Sequence, residues 1–469
     1  MSVARCLLAM ALATGGLLSA VAVATEPPVG TGTPFPDTIP AERLTAAFWI
    51  DRAAACDTVL LDAAAVSRQN AAVLAAGPGL HDLARLPERL SRDEVLALIT
   101  GVAVGSKALP VVADPTAAVP DLETLVARDA IPAEVAPRFA LAVRRADLRT
   151  FPSDLSGRAK PTDTDIDRFQ ESALFPGTPV AILHTSADGR YAFVVAPHYA
   201  AWVAGAALAE GERTTVLGFS GSAPRRVVTG PTARVVVAPP DGAAEEIVVD
   251  MGVSLPEVTD WPLGQPLAGQ GTLAATVVRF PSRGADGRLV LPPALLPRGA
   301  DSHPGPLPAS RANLLRQAFK FLGERYCWGH RGGGRDCSGF VGECYRSLGL
   351  VIPRNSRDQA ACTASFGRTA VAPDADREAR WKLLGALEPG DLVHVPGHVM
   401  MVIGHDERGP WIIHDSHAAT VRGPDGRPRR LPTNSVVISP LEPLLRDDGR
   451  SVVEAVTVVQ RYLPPSPAR

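Results

Sequence analysis

The pattern of hydrophobic residues changes twice along this chain, close to residues 137 and 298. Up to about residue 136 the pattern is helical, with a capping box at Ser91–Glu94 before the apolar stretch Val95–Ile99. From 137 to 297 short apolar runs alternate with turns, which is typical of strands. Beyond residue 298, helical and strand patterns occur together. Because one hydrophobic core rarely serves more than about 250–300 residues, we expect a multidomain α+β protein from 469 residues.

The central segment predicts two consecutive small β-barrels. Pro179–His184 and Tyr191–Val195 flank an Ala-Asp-Gly turn, and Val235–Val237 and Glu246–Val249 flank a Pro-Pro-Asp-Gly turn. The 42 glycines and 44 prolines also favour short elements joined by turns. The expected domains are a helical region at 25–136, barrels at 137–212 and 213–297, a linker at 298–310, an α+β domain at 311–463, and a disordered tail at 464–469.

The N-terminus resembles a secretory signal peptide. Arg5 precedes a short apolar run, and Ala22-Val23-Ala24 precedes a Pro-rich segment, so we expect residues 1–24 to be removed after Ala24. A membrane anchor is the alternative, although the run is short for a span of about 20 residues. We therefore expect an exported, periplasmic or extracellular protein with no membrane span after cleavage. The net charge of −2 makes nucleic acid an improbable partner.

The cysteines indicate a free thiol. Removing Cys6 with the signal peptide leaves five of six cysteines, and an odd number in an exported protein leaves at least one unpaired or bound to another chain. Cys337 stands out because Asp336 is a good helix N-cap and Gly349 a good helix stop. A thiol in the first turn lies at the positive end of the helix dipole, which favours thiolate. The alternative is a buried structural cysteine.

A thiolate nucleophile needs a base, and five of the ten histidines fall between residues 394 and 417. His398 and His414 lie in two apolar runs that predict a β-hairpin, and pairing of Ile403 near Trp411 would put both imidazoles on one sheet face. His394 and His405 are interpreted as structural. A zinc site that adds His417 is the weaker alternative, since the usual zinc motifs are missing from the sequence.

Five motifs together resemble the NlpC-type cell-wall cysteine peptidases, a papain-like family. In order they are Tyr326-Cys327-Trp328-Gly329, Asp336-Cys337-Ser338-Gly339-Phe340, Pro353-Arg354-Asn355-Ser356-x-x-Gln359, Gly390-Asp391-Leu392 and Gly397-His398-Val399. The match covers about 305–440. The upstream order resembles a subgroup with a helical N-terminal domain and two bacterial SH3-like domains. Weaker motifs at 147–152, 167–170 and 199–203 resemble the first of those domains.

The resemblance implies hydrolysis of the γ-D-glutamyl–diamino-acid bond of murein stem peptides, without cofactor or metal. By carry-over, Cys337 is the nucleophile, His398 the base and His414 the orienting residue. The partners would be peptidoglycan stem peptides or muropeptides. The residues implied in substrate binding are Tyr326 at the oxyanion, Asp336 and Ser338 at the free amine of L-Ala, and Tyr199 and Glu171 from the first SH3-like domain.

Two departures from the family leave alternatives open. Position 330 is His where a second Gly usually follows Trp-Gly, and the gap from His398 to His414 is long enough to keep His417 as a candidate third residue. Two other functions also remain: a non-catalytic cell-wall-binding protein, and a thiol acyltransferase or amidase acting on another wall substrate.

Overall fold

A computed structural model describes residues 35–36, 38–103, 111–112, 121–160, 165–238 and 243–467. The predicted signal peptide and the Pro-Pro-Asp-Gly turn lie outside these residues. The backbone divides into units Met1–Thr31 and Gly32–Arg469, and every described residue belongs to the second. Within the described ranges, no helix has the length and apolar character needed to cross a bilayer.

In its described residues, the N-terminal region contains four α-helices, two short 3-10 helices and three two-residue strands. The predicted capping box is confirmed, because Glu94 N–H donates to Ser91 Oγ at 3.3 Å and Ser91 N–H donates to Glu94 Oε2 at 2.7 Å. The helices are α1 (Ala46–Ile50), α2 (Ala63–Ala76), α3 (Arg92–Ala103) and α4 (Leu122–Val126), and the strands are β1 (Leu90–Ser91), β2 (Val111–Val112) and β3 (Glu134–Val135).

These helices contribute to two different hydrophobic cores. Trp49 and Val73 pack in the core of the C-terminal domain. Val95 and Ile99 pack in a core shared with the β-barrels. A helical region was expected at 25–136, and the described residues of that region include these helices. Its buried apolar residues, however, pack against the later domains.

A seven-stranded antiparallel sheet forms the first barrel, in the order β11-β4-β8-β9-β10-β5-β7. The pairing of β5 with β7 shifts at Glu171, since Leu148 lies opposite Ser172 and Arg149 opposite Gln170. Such a bulge redirects a side chain. The strands are β4 (Arg138–Ala142), β5 (Ala146–Arg149), β6 (Gly157–Arg158, paired with β2), β7 (Gln170–Leu174), β8 (Pro179–Thr185), β9 (Tyr191–Ala196), β10 (Tyr199–Ala204) and β11 (Leu208–Glu210).

Residues 213–304, which we call the second barrel after the fold expected there, contain three small sheets in their described part, β15-β12-β20, β14-β13-β19-β16 and β17-β18. The last strand of the second barrel lies within 298–310, so part of the expected linker pairs with β12. The elements are α5 (Arg213–Gly218), β12 (Arg225–Val228), β13 (Thr232–Val237), β14 (Glu245–Asp250), β15 (Ser254–Pro256), β16 (Ala275–Arg279), β17 (Ser282–Arg283), β18 (Leu289–Val290), β19 (Pro293–Pro297) and β20 (Ser302–Pro304).

The C-terminal domain packs helices on a six-stranded antiparallel sheet, β21-β29-β22-β23-β24-β27, beside the smaller sheet β26-β25-β28. Its helices are α6 (Arg311–Phe319), α7 (Cys337–Ser347), α8 (Ser356–Ala361), α9 (Arg377–Gly385) and α10 (Val452–Ala455). Its strands are β21 (Gly367–Ala370), β22 (Leu392–Val395), β23 (His398–Asp406), β24 (Gly409–Ser416), β25 (Ala419–Arg422), β26 (Pro428–Leu431), β27 (Ser435–Pro440), β28 (Leu444–Leu445) and β29 (Val458–Arg461).

The first part of the tail is held by hydrogen bonds, so the expectation of disorder is wrong there. Arg311 donates to the Pro464 carbonyl at 2.9 Å and to Ser466 Oγ at 3.2 Å. Ser466 N–H donates to Glu388 Oε1 at 3.1 Å. A buried guanidinium with these acceptors fixes residues 464–466 against α6.

Candidate active site

Helix α7 places Cys337 in its first turn. The Asp336 carboxylate caps the helix by accepting from Gly339 N–H at 2.8 Å. The side of α7 that carries Phe340, Val341 and Cys344 is fully buried against the sheet. Because the first N–H groups of a helix have no acceptor within it, the N-terminus of α7 presents donors beside the thiol.

The hairpin β23–β24 brings two imidazoles together. Gly404 lies opposite Trp411, and Met401 lies opposite Ile413, with a bulge between the two pairs. This register puts His398 and His414 on one face of the sheet, as diagonal neighbours. His398 Nε2 is 2.8 Å from His414 Nδ1, and the rings meet edge to face.

A cleft of about 470 Å³ contains all eight residues that the sequence singled out. The Cys337 thiol lies against the backbone N–H of Val399, the residue after His398. Because His398 Nε2 contacts His414, Nδ1 is the ring nitrogen of His398 that can accept a proton from another group. The cleft is lined by Cys337, His398, His414, Tyr326, Asp336, Ser338, Tyr199 and Glu171, among other residues.

The resting thiol and imidazole are both neutral near pH 7. Burial, followed by the charge of Asp336, raises the pKa of Cys337 to about 12. Burial, followed by the charge of Arg446, lowers the pKa of His398 to about 4. Burial also holds the pKa of His414 well below its usual value. The sequence led us to expect a thiolate from the helix dipole, but here desolvation outweighs that effect.

One end of the cleft is lined by the first barrel. Glu171, directed inward by its bulge, accepts from Tyr199 Oη at 2.6 Å and from Thr150 Oγ1 at 2.5 Å. Burial raises the pKa of Glu171, and the two hydroxyl hydrogen bonds oppose that rise. A carboxylate that already accepts from two hydroxyls still has lone pairs for a cationic ligand.

Asp336 is more heavily bonded than its motif predicted. Arg354 holds both carboxylate oxygens, at 3.0 Å to Oδ1 and 2.9 Å to Oδ2, and Gly329 N–H donates to Oδ2 at 3.0 Å. Burial would raise the pKa of Asp336, but Arg354 and the hydrogen bonds hold it well below its usual range. Arg354 also donates to Ser338 Oγ at 3.0 Å. The sequence motif that contains Arg354 resembles the family, but the sequence alone assigns no role to this arginine.

The remaining candidate residues differ in whether they line the cleft. Tyr326 lines the cleft near Cys337, and its ring lies edge-on to His417 at 5.9 Å. His417 also lines the cleft but is 3.5 Å from Asp165, whereas His414 contacts His398. Neither His394, which is buried, nor His405, which contacts the Leu384 carbonyl, lines the cleft.

The other end of the cleft is formed by the smaller sheet. Thr420 lies opposite both Arg430 and Leu445, so the three side chains share one face. Arg446 Nη1 donates to the Pro396 carbonyl at 2.8 Å. Among the described residues, all five cysteines are free, and we find no cluster of three side chains suited to hold a metal ion.

Two family models match the chain at the positions that carry this geometry. Residues 323–428, which include Cys337, His398 and His414, match the NlpC/P60 family. The chain carries an NlpC/P60 family domain. Residues 157–204, which include Glu171 and Tyr199, match an SH3 domain of the SH3b1 type. The protein therefore combines an SH3b domain with an NlpC/P60 domain, and the cleft is lined by both.

Similar proteins agree with this domain assignment. A γ-D-glutamyl-L-lysine dipeptidyl-peptidase of Bacillus cereus is 33% identical over 162 residues, which are 34% of this chain and only 38% of the relative. An NlpC/P60 endopeptidase of Photobacterium damselae subsp. piscicida has a similar fold, with a TM-score of 0.67 at 15% identity, covering 88% of this chain and 95% of that one.

Proposed function

We propose that this protein is a cell-wall cysteine peptidase that hydrolyses the γ-D-glutamyl–diamino-acid bond of murein stem peptides through a thioester on Cys337. The observation that carries the proposal is the 2.8 Å contact between His398 and His414 in a cleft shared with a helix-start cysteine. These groups form the nucleophile, base and orienting residue of thiol catalysis.

The first half-reaction forms the thioester. As the Cys337 sulfur attacks the γ-carbonyl carbon of D-Glu, its proton passes to His398 Nδ1. His414 holds the ring through Nε2 and stabilises the imidazolium. The developing oxyanion is met by the N–H groups at the start of α7 and by the Tyr326 hydroxyl. His398 then protonates the leaving amine, and the C–N bond breaks.

The second half-reaction releases the acyl group. A water molecule attacks the thioester and gives its proton to His398, and the sulfur leaves as thiolate. The thiolate regains the proton from His398, which restores the neutral pair. Because both groups begin neutral, charge appears only during the reaction, where the helix end and His414 stabilise it.

The end of the cleft lined by the first barrel suits a free ammonium group. Glu171 and Asp336 contribute two negative charges and Arg354 one positive charge, which leaves a net charge of −1 when both carboxylates are ionised. One ammonium group neutralises that charge. We infer that the N-terminal L-Ala of the stem peptide binds here and that Glu171 is its main carboxylate partner, since Arg354 already occupies Asp336.

Binding of a free L-Ala ammonium group at Glu171 favours stem peptides that have already been cut from glycan. An L-Ala amine bound to muramic acid carries no charge and continues into a bulky sugar, which the Glu171–Tyr199 wall would block. The SH3b domain therefore contributes to substrate selection in this proposal. The name of the Bacillus cereus relative supports a γ-D-glutamyl bond before a diamino acid, and the signal-like N-terminus supports export to the wall.

The test is dipeptide release from synthetic stem peptides. The wild-type protein should release L-Ala–γ-D-Glu from L-Ala–γ-D-Glu–diamino acid, and Cys337→Ala should release none while keeping its thermal unfolding midpoint. The matched control is Cys362→Ala, another buried free cysteine, which lies outside the cleft lining. Dipeptide release by Cys337→Ala, or product in which the acyl group is transferred to another amine, would contradict the proposal.

A further inference from the structure

His330 occupies a backbone conformation that favours glycine. It lies in the turn before α7 with a φ of 64°. The residue is buried, with only 2% of its surface exposed. A bulky residue in the left-handed region is strained. The surrounding structure must therefore compensate for the backbone strain at this histidine. The contacts of its two ring nitrogens provide that compensation.

Both nitrogens of His330 have charged partners. Nδ1 is 2.7 Å from Arg354 Nη2, and Nε2 is 3.0 Å from Glu343 Oε1. A guanidinium can only donate, so Nδ1 accepts and the proton is on Nε2, from which it is donated to Glu343. Burial, followed by the charge of Arg354, lowers the pKa of His330 to about 4, so the ring is neutral near pH 7.

This contact completes the bonding of Arg354. The guanidinium donates from Nε to Ser172 Oγ at 2.8 Å and from Nη1 and Nη2 to Asp336. His330 supplies the additional acceptor for Nη2. Because the imidazole is neutral, it satisfies an N–H of Arg354 without competing with Asp336 for the positive charge.

The other side of the ring joins an ion cluster at the barrels. Glu343 Oε2 accepts from Arg335 Nε at 2.8 Å, and Arg335 Nη2 donates to Asp250 Oδ1 at 3.0 Å. Asp250 ends β14 of the second barrel. Arg145 of the first barrel pairs with Asp250 and donates to the His330 carbonyl at 2.7 Å. His330 therefore contacts the barrel interface through its backbone and Arg354 through its ring.

We propose that His330 is a positioning residue for amine recognition: its neutral ring holds Arg354 on Asp336 and links that pair to the ion cluster of the barrels. The inference rests on the proposed function, because it assigns how the amine end of that cleft is built. Without the imidazole acceptor, Arg354 Nη2 can turn from Asp336, which changes both the position and the charge of the carboxylate beside the ammonium.

Two amide substitutions separate the two ring nitrogens. In His330→Asn the side-chain oxygen lies near the position of Nδ1, so it keeps the acceptor for Arg354 and loses the donor to Glu343. In His330→Gln the amide lies near the position of Nε2, so it keeps the donor and loses the acceptor. We expect His330→Asn to keep KM for L-Ala–γ-D-Glu–diamino acid within about twofold. His330→Gln should raise KM about tenfold, with kcat changed less than about threefold.

The control substrate is the same peptide with an acetylated amine. Since that peptide offers no ammonium, His330→Gln should leave its KM unchanged relative to the wild-type protein. An equal rise for both peptides, or wild-type KM for both in His330→Gln, overturns the inference. A wild-type protein that cleaves neither peptide refutes the proposed function instead.

A second measurement reads the ring of the wild-type protein directly, and a folded variant serves only to assign its signal. Imidazole ¹⁵N NMR of the full-length wild-type protein, with His330 assigned by its loss in His330→Asn or His330→Gln, should show a neutral ring protonated on Nε2 at pH 6–7. A ring protonated on both nitrogens, or on Nδ1 alone, overturns the inference because Arg354 could not then donate to it.

Discussion

Replacing Glu171 by Gln tests the charge at the end of the cleft lined by the first barrel. Glutamine nearly matches the shape of glutamate and keeps an oxygen acceptor for either Tyr199 or Thr150, which lie 2.6 and 2.5 Å from the carboxylate. The substitution removes one negative charge from this end of the cleft. The charges of the two ionised carboxylates and Arg354 sum to −1 in the wild-type protein. In the variant the corresponding sum is zero.

The expected loss follows from one charge-assisted hydrogen bond. Hydrogen bonds to charged groups are worth about 1.5–3 kcal/mol. At about 1.4 kcal/mol per factor of ten, kcat/KM for the free-amine peptide should fall by about 10- to 150-fold. The N-acetylated peptide should change less than about threefold, because it has no ammonium to lose a partner. The preference of the wild-type protein for the free amine should therefore largely disappear.

The assay is dipeptide release from both peptides between pH 5 and 8. Burial raises the pKa of Glu171, so wild-type kcat/KM for the free-amine peptide should fall on the acid side as Glu171 gains a proton, and Glu171→Gln should lack that dependence. Glu246→Gln, an exposed residue paired with Arg234 on the second barrel, is the matched control. A variant that keeps the full free-amine preference would refute the charge argument.

Three further outcomes are expected. Tyr326→Phe should lower kcat about 10- to 100-fold with little change in KM, because its hydroxyl meets the oxyanion only in the transition state; an unchanged kcat would remove that role. Burial, followed by the charges of Asp336 and Glu324, raises the pKa of Asp415 from 3.8 to about 9, so the stability contributed by this acid is fully present below about pH 4 and is lost progressively as pH rises towards 9. Asp415→Asn should therefore increase the free energy of unfolding by roughly 1–4 kcal/mol at pH 7.5 and by little at pH 4, as measured by urea denaturation. Gly339→Ala should destabilise the protein by about 1–3 kcal/mol, because a Cβ there would lie 2.2 Å from His330 Cε1, whereas Gly342→Ala, with no atom within 4 Å, should be neutral or slightly stabilising in thermal unfolding.

Local patterns predicted the elements of the cleft well. The cap at Asp336 and the hairpin that carries His398 and His414 depend on neighbours within a few residues, and these can be read from spacing. The side chains from the first barrel, Tyr199 and Glu171, came from the family resemblance alone. Spacing within a chain does not reveal that residues more than 130 positions before Cys337 line the same cleft.

Electrostatics and long-range packing were harder to predict. The helix dipole suggested a thiolate at Cys337, yet the degree of burial that raises its pKa to about 12 depends on the whole domain. His330 was noted only as a departure from the family. Its partners, Arg354 and Glu343, are 24 and 13 residues away. Strand β20 was missed because three residues between turn signals carry too little pattern.

The N-terminal helices constrain how the protein unfolds. Trp49 is buried against Trp411, with ring centroids 5.4 Å apart, while Val95 and Ile99 are buried with the barrels. Because the N-terminal segment contributes residues to both hydrophobic cores, unfolding of one core should promote unfolding of the other. Fragments that begin at residue 311 would leave Trp411 and its neighbours exposed to water, so they should aggregate, and the intact chain should melt in one cooperative step.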